Sequence, residues 1–299
     1  VSQTLWYERG PLPYCAHRHF PETKLADLRR QRAESIEKSS QVVIQDRQGN
    51  KGGLSHLPWD SRLLQISAGR IDFLPDQDPA ELIPQLLKEA EKEGINHLSI
   101  RAEASQISLI QALEKQGFIV VDALVTFGRT TSHHVTESAH SFTIRFAEPR
   151  DKEVISELGG RAFRVDRFHN DPEIAPSKAD EIYREWSRNS VEGRAADAVV
   201  IAEDSRRLLG FVTCRLITDT LEPLGSPVGV IPLVATDEQH RRAGVARAMT
   251  LRAINWFHEQ GAEICEVGTQ LANIPACRLY ESCGFRIVSS NVSLRHFRQ

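Results

Sequence analysis

The chain has 299 residues, 40% apolar and 26% charged, with a formal net charge of −3 at pH 7. That is enough material for two ordinary cores, and it gives no electrostatic reason to expect nucleic acid, which draws strongly basic surfaces. Five cysteines, odd in number and without ligand spacing, argue against a disulfide framework or a metal site, and no apolar run reaches the roughly 18–20 residues of a membrane span, so a reduced, cytoplasmic protein without membrane insertion is expected.

From the N-terminal side, "FLPDQDPAELIPQLLKEAEKEG" (73–94) has helical spacing. "INHLSIRAEASQISLIQALEKQGF" (95–118) then predicts a strand and a helix closing on Gly-Phe. "TTSHHVTESAHS" (130–141) is polar and aperiodic. It is read as a linker over 131–140, between an N-terminal part (1–130) and a larger C-terminal part (141–299). His133, His134 and His140 have no carboxylate or cysteine at ligand spacing, so solvated linker residues are the preferred reading over a metal site.

Past the linker, "FTIRFA" alternates like a strand, and "DKEVISELGGRAF" follows as a helix with Asp151 as its candidate N-cap. "PSKADEIYREWSRNSV" is a second amphipathic helix, with Ser177 as a plausible cap. "DAVVIAED" and "RLLGFVTCRLI" read as a hairpin, and "SPVGVIPLVAT" as one further strand feeding "DEQHRRAGVARAMTLRAINWFHEQG", a loop running into a helix stopped at Gly261. "EICEVGTQ", "NIPACRLYESCGF" and "RIVSSNVSLRHF" predict strand, short helix and strand. The order implies an α/β domain with a mixed sheet.

The chain repeats itself. Gly94 and Gly261 stand 167 residues apart, and so do Gly117-Phe118 and Gly284-Phe285. At that offset both copies align without a gap as helix, strand, helix, Gly-Phe, strand, which points to duplication. Tyr280 of the second copy is matched by Leu113, and Asn273 by Gln106.

Chemistry concentrates in "RRAGVA" (241–246), between a strand and a helix. Gly244 and Ala246 let backbone approach a ligand, the amides at the helix start lack intrahelical acceptors, and Arg241 and Arg242 add full charge. This combination suits a pyrophosphate. At the 167-residue offset the first copy has "FLPDQDP" instead, where prolines remove donors and Asp76 and Asp78 repel an anion.

The Arg-x-x-Gly-x-Ala loop after a strand, followed by Asn273 and Tyr280 before Gly-Phe, resembles the acetyl-CoA site of the GCN5-related N-acetyltransferases (GNAT) over about residues 141–299. The resemblance implies a mixed-sheet GNAT acyltransferase fold preceded by a smaller degenerate GNAT-like half, and one acetyl-CoA site in the C-terminal part. It implies that Arg241, Arg242, Ala243, Gly244, Val245 and Ala246 hold the pyrophosphate. Leu233, Val234 and Ala235 would pair with the pantetheine arm, with the N–H around Val234 polarising the thioester. Asn273 would either contact the cofactor or cap its helix, and Tyr280 would be the general acid. A phenol, with an ordinary pKa near 10, is protonated at neutral pH and can serve a departing thiolate.

"RAFRVDRFHND…YREWSRNSVEG" and "GTQLANIPACRLYESCGF" further resemble family members that acetylate a TDP-linked 4-amino-4,6-dideoxysugar. That implies a small-molecule amine acceptor, with Arg164 and Arg167 as candidates for its diphosphate; His169 lies in the same segment. "RLLQIS" (62–67) departs from the pattern of those members and leaves the acceptor open. Peptide or other amines, or a non-catalytic acetyl-CoA-binding module, are the alternatives. Chemistry alone offers Glu148, Glu222 and Glu266 as bases without choosing among them. No cysteine precedes a suitable base, so direct transfer is expected. The first copy could pack on the catalytic sheet, wall the acceptor or make a homodimer contact.

Overall fold

The structure, a computed structural model, describes residues 19–73, 79–136 and 140–298. "FLPDQDP" falls largely outside them, so the reading of Asp76 and Asp78 lies outside the described residues. Among the described residues there is one twelve-stranded sheet. The N-terminal half opens with α1 (Glu22–Ser39), β1 (Val42–Gln45), β2 (Lys51–His56), α2 (Pro58–Leu64) and β3 (Ala68–Phe73). It continues through α3 (Ile83–Lys92), β4 (His97–Glu103), α4 (Ile107–Lys115) and β5 (Ile119–Thr130). The C-terminal half has β6 (Thr143–Phe146), α5 (Lys152–Ala162), α6 (Pro176–Val191), β7 (Ala198–Asp204), β8 (Arg207–Ile217) and α7 (Leu221–Leu224). It ends with β9 (Val228–Ile231), β10 (Val234–Thr236), α8 (Val245–Glu259), β11 (Ile264–Gln270), α9 (Ile274–Ser282) and β12 (Arg286–Phe297). The strand order is β1-β2-β3-β4-β12-β5-β11-β9-β8-β7-β6, with β10 pairing β8 off this path.

The two halves exchange strands. β5 of the N-terminal half inserts between β11 and β12, and β12 inserts between β4 and β5. The duplication is written into the register. Gln270 pairs with Leu124 and Ile264 with Thr130, while Glu103 pairs with Asn291 and His97 with Phe297. Shifting either set by the 167-residue offset gives the other. The central pair Leu124–Asn291 maps onto itself, and the irregularities of the β5–β12 ladder fall at equivalent places on its two sides. The stops match too: Gly94 and Gly261 have φ of +66° and +77°, Gly117 and Gly284 +85° and +84°. This left-handed backbone lets a helix end without a Cβ penalty. Phe118 and Phe285 behind them are both buried.

Three local expectations need correction. Asp151 does not cap α5; its carboxylate pairs with Arg145 at 2.7 Å and accepts the Glu148 N–H at 2.7 Å. Ser177 does not cap α6, because Pro176 already fills the first helical position and Ala175 precedes it. "SPVGVIPLVAT" is two strands, β9 and β10, broken at Pro232, which has no N–H to continue a ladder.

Candidate active site

The break at Pro232 opens the sheet. β9 runs parallel to β11 from Val228–Ile264 to Ile231–Val267, after which β10 pairs with β8 alone. Gly210 permits this close crossing, since a Cβ there would stand 2.6 Å from the Ala235 carbonyl oxygen. Thr213 N–H donates to the Leu233 carbonyl and Asp237 N–H to the Leu209 carbonyl, so alternate residues of β10 face β8. By the same alternation the backbone groups of Val234 and Thr236 face away from β8, toward the gap left beside β11.

A cavity of about 1380 Å³ fills that gap. It exceeds the roughly 300–1,000 Å³ that one small ligand occupies, and has room for two substrates together. Leu233, Val234, Ala235, Arg241, Arg242, Gly244, Val245, Ala246, Asn273, Tyr280, Arg164 and Arg167 all line it; Ala243 does not, and is exposed. At its helix end, Gly244 (φ +79°) is the N-cap of α8 and supplies no side chain to the first-turn amides, and the first intrahelical bond runs from Ala248 N–H to the Gly244 carbonyl. Nothing lies within 4 Å of a Cβ built there. An anion can therefore reach donor N–H groups and the positive end of the helix dipole. Arg242 also has positive φ (+64°). Arg241 pairs with Glu238 at 3.4 Å. The open amides, the free edge of β10 and the roomy gap fit a long thioester cofactor with a pyrophosphate.

Of the roles its sequence position left open, Asn273 takes the helix cap. Its Oδ1 accepts the Ala276 N–H at 3.3 Å, capping α9, and its Nδ2 donates to Thr269 Oγ1 at 3.2 Å beside the cavity. Tyr280 is 4% exposed, with its ring 5.6 Å from Phe127 and 6.1 Å from Phe285. Phe127 belongs to β5, so the N-terminal half supports the tyrosine directly. In the first copy Leu113 fills the equivalent place in an apolar cluster.

Arg164 and Arg167 line the cavity already paired: Arg164 with Asp180, and Arg167 with Asp60 of the N-terminal half at 3.4 Å while covering the Phe168 ring at 4.0 Å. His169 does not line the cavity; it bridges Asp166 (2.6 Å) and Asp180 (3.1 Å). Glu148, Glu222 and Glu266 do not line it either.

The sequence reading offered the first half as a possible wall or sheet partner but named none of its residues at the cavity. Trp59, Asp60, Arg70, Arg101 and Asp122 all line the cavity, so this half is a wall of the cavity as well as a sheet partner. Arg70 is buried and pairs with Asp72 at 2.9 Å. Burial pushes the Asp122 carboxyl up to about 6, against lowering by the Gln270 hydrogen bond and Arg101. The strand exchange that brings these residues in leaves no mark in local periodicity.

Among the described residues no cysteine lines the cavity, and burial pushes the Cys214, Cys265 and Cys283 thiols up, away from the thiolate form. Among the described residues no group of His, Cys, Asp or Glu is arranged to hold a metal, and no helix is long and apolar enough to cross a membrane.

Comparison with known proteins agrees with the fold. The family model described as "Acetyltransferase (GNAT) family" matches residues 162–285. The spore coat polysaccharide biosynthesis protein SpsD of Bacillus subtilis is 25% identical over 233 residues, 76% of each chain. A mycothiol acetyltransferase of Thermomonospora curvata is 28% identical over 150 residues, 48% of this chain and 43% of that one. Among solved structures, a GCN5-related N-acetyltransferase from Sphaerobacter thermophilus superposes with a TM-score of 0.60 at 15% identity, over 89% of this chain and 85% of that one. A tandem GNAT protein from the clavulanic acid biosynthesis pathway gives 0.56 at 12% identity, over 92% and 95%.

Proposed function

We propose that this chain, whose C-terminal half belongs to the acetyltransferase (GNAT) family, acetylates the amine of a nucleotide-linked 4-amino-4,6-dideoxysugar at a single site in that half. The enzyme is an acetyl-CoA-dependent N-acetyltransferase acting on a small-molecule acceptor. The nature of that acceptor is our inference. One observation carries it: the cavity that holds the α8 N-terminus is also walled by Arg70, Arg101, Arg164 and Arg167, drawn from both halves. Guanidinium groups bind diphosphates through paired N–H donors, and a neutral or acidic wall would suit a basic peptide better. The similarity to a polysaccharide biosynthesis protein supports the same class of acceptor.

Acetyl-CoA supplies the activated acetyl group as a thioester. In our reading the N–H groups at Gly244–Ala246, with Arg241 and Arg242, hold its pyrophosphate. Within Leu233–Ala235 the gap-facing backbone of Val234 pairs with its arm as an added strand would, and Asn273 lies alongside. The Val234 N–H faces the gap and stabilises the carbonyl oxygen as it gains charge. Tyr280, buried and packed on Phe127 and Phe285, donates the proton that the departing thiolate needs. Arg164 and Arg167, kept in place by Asp180 and Asp60, orient the acceptor diphosphate.

A thiol-release assay with acetyl-CoA and three amines tests the acceptor: a TDP-linked 4-amino-4,6-dideoxysugar, an unlinked amino sugar and a lysine peptide. We expect the linked sugar to give the highest kcat/KM. A peptide used as well or better would contradict the reading, and so would an unlinked sugar.

A further inference from the structure

We propose that Asp122, on the strand that the N-terminal half inserts into the C-terminal sheet, is the base that takes the proton from the attacking acceptor amine. This rests on the acetyl-transfer reading above.

Placement comes first. Leu124 pairs with Gln270, the last residue of β11, and the Leu271 N–H donates to the Ala123 carbonyl at 2.8 Å. Asp122 therefore stands just past the end of β11, at the mouth of the gap between β10 and β11. It is 6% exposed, yet its side chain lines the cavity that Tyr280 also lines. Gln270 Nε2 donates to its Oδ2 at 3.3 Å. Arg101 of β4 and Asp166 of the segment between α5 and α6 face it, and Ser293 is its partner in β12.

The other carboxylates lining the cavity are engaged with basic groups: Asp60 with Arg167, Asp166 with His169 and Glu238 with Arg241. Asp122 instead takes its hydrogen bond from a neutral amide. Burial makes it more basic than an ordinary aspartate while leaving it mostly ionised at neutral pH, the balance a general base needs. The 167-residue offset adds a third point. Tyr280 is matched by Leu113 and Asp122 by Ser289, so each copy contributes a proton-transfer group that the other lacks. The first copy has lost the cofactor loop but kept a part in the chemistry.

The neutral amine attacks the thioester carbonyl; the C–N bond forms and the C–S bond breaks. One amine proton passes to Asp122, and the thiolate takes the Tyr280 proton. Asp122 then yields its proton to water and Tyr280 regains one from water, leaving amide and free thiol.

Asp122→Asn in the full chain, assayed with acetyl-CoA and saturating TDP-4-amino-4,6-dideoxygalactose, tests it. We expect kcat to fall by roughly 10²–10⁴-fold. The acid limb of the wild-type kcat profile near pH 6 should vanish, acetyl-CoA Kd should hold, and Tm at pH 7 should rise, because a buried charge has been replaced by an isosteric amide. Unchanged kcat and an unchanged acid limb would overturn the proposal. A lowered Tm with parallel loss of acetyl-CoA binding would also overturn it, by making the residue structural. Wild-type protein that releases no thiol with any amine sinks the acetyl-transfer reading as well; active wild type beside an equally active variant sinks this proposal alone.

Discussion

Tyr280 and Leu113 sit on equivalent helices before equivalent glycines, and the side chain at that one position separates a packing residue from the proposed proton donor. Such a difference is legible in sequence because it concerns residue type within a copied frame. Gly244 was legible for the same reason, and its φ of +79° now gives it a cost. Gly244→Val has open space for its side chain but a left-handed backbone, so we expect a stability loss of about 1–2 kcal/mol by urea denaturation and weaker acetyl-CoA binding by calorimetry. Asp122 was not legible, because nothing in "IVVDALVTF" marks an aspartate that a distant strand will bury. Its carboxyl, raised to about 6 from 3.8, binds more protons folded than unfolded. Stability from this group is present below the lower value and lost as pH rises through the higher, which at pH 7 amounts to a cost on the order of 3 kcal/mol. Asp122→Asn should relieve much of it, so that the difference in unfolding free energy between variant and wild type grows from pH 4 to pH 7.

Among the elements, α3–α6, α8, α9 and most strands from β4 onward follow from periodicity, whereas α1, α2, α7 and β1–β3 were not read from the sequence; β12 spans the whole of "RIVSSNVSLRHF". The strand that makes the site was the one misread. "SPVGVIPLVAT" is apolar throughout, and apolar character does not reveal that Pro232 ends one ladder and Gly210 admits another. The segment from Phe163 to Ala175 is likewise silent in sequence about its anchor. Asp171 is buried under β4 and β12, bonded by His97 Nε2 at 2.8 Å and by Arg295 Nε at 3.0 Å. Desolvation pushes its carboxyl up, but the His97 and Arg295 hydrogen bonds outweigh that and hold it below the ordinary range. A depressed carboxylate stabilises the fold at higher pH, and that contribution is lost as pH falls below the ordinary carboxylate range toward the folded value. Asp171→Ala strands a buried guanidinium, and we expect a loss of about 3–5 kcal/mol in urea titration. A loss under 1 kcal/mol would show the anchor to be incidental.

At the scale of the whole molecule, the linker reading at 131–140 marks where the copies meet in sequence, but the sheet runs across that point. β11 pairs with β5 on one side and β12 pairs with β4 and β5, so a fragment starting at residue 141 keeps the 241–246 loop and loses its sheet neighbours. We expect that fragment to be insoluble or unfolded by circular dichroism, with unpaired strand edges exposed, and co-expression with residues 1–130 to rescue it. The 167-residue repeat foretold two similar scaffolds; it could not foretell that they would exchange strands, because register is set by pairing between distant segments. The central claim is that this shared sheet builds one acetyl-transfer site whose acid is Tyr280. The most direct measurement is amine-dependent thiol release by wild type and Tyr280→Phe, with acetyl-CoA affinity measured alongside. The expected result is a fall in kcat of roughly 10²-fold or more at unchanged Kd; equal turnover by the two proteins would contradict it.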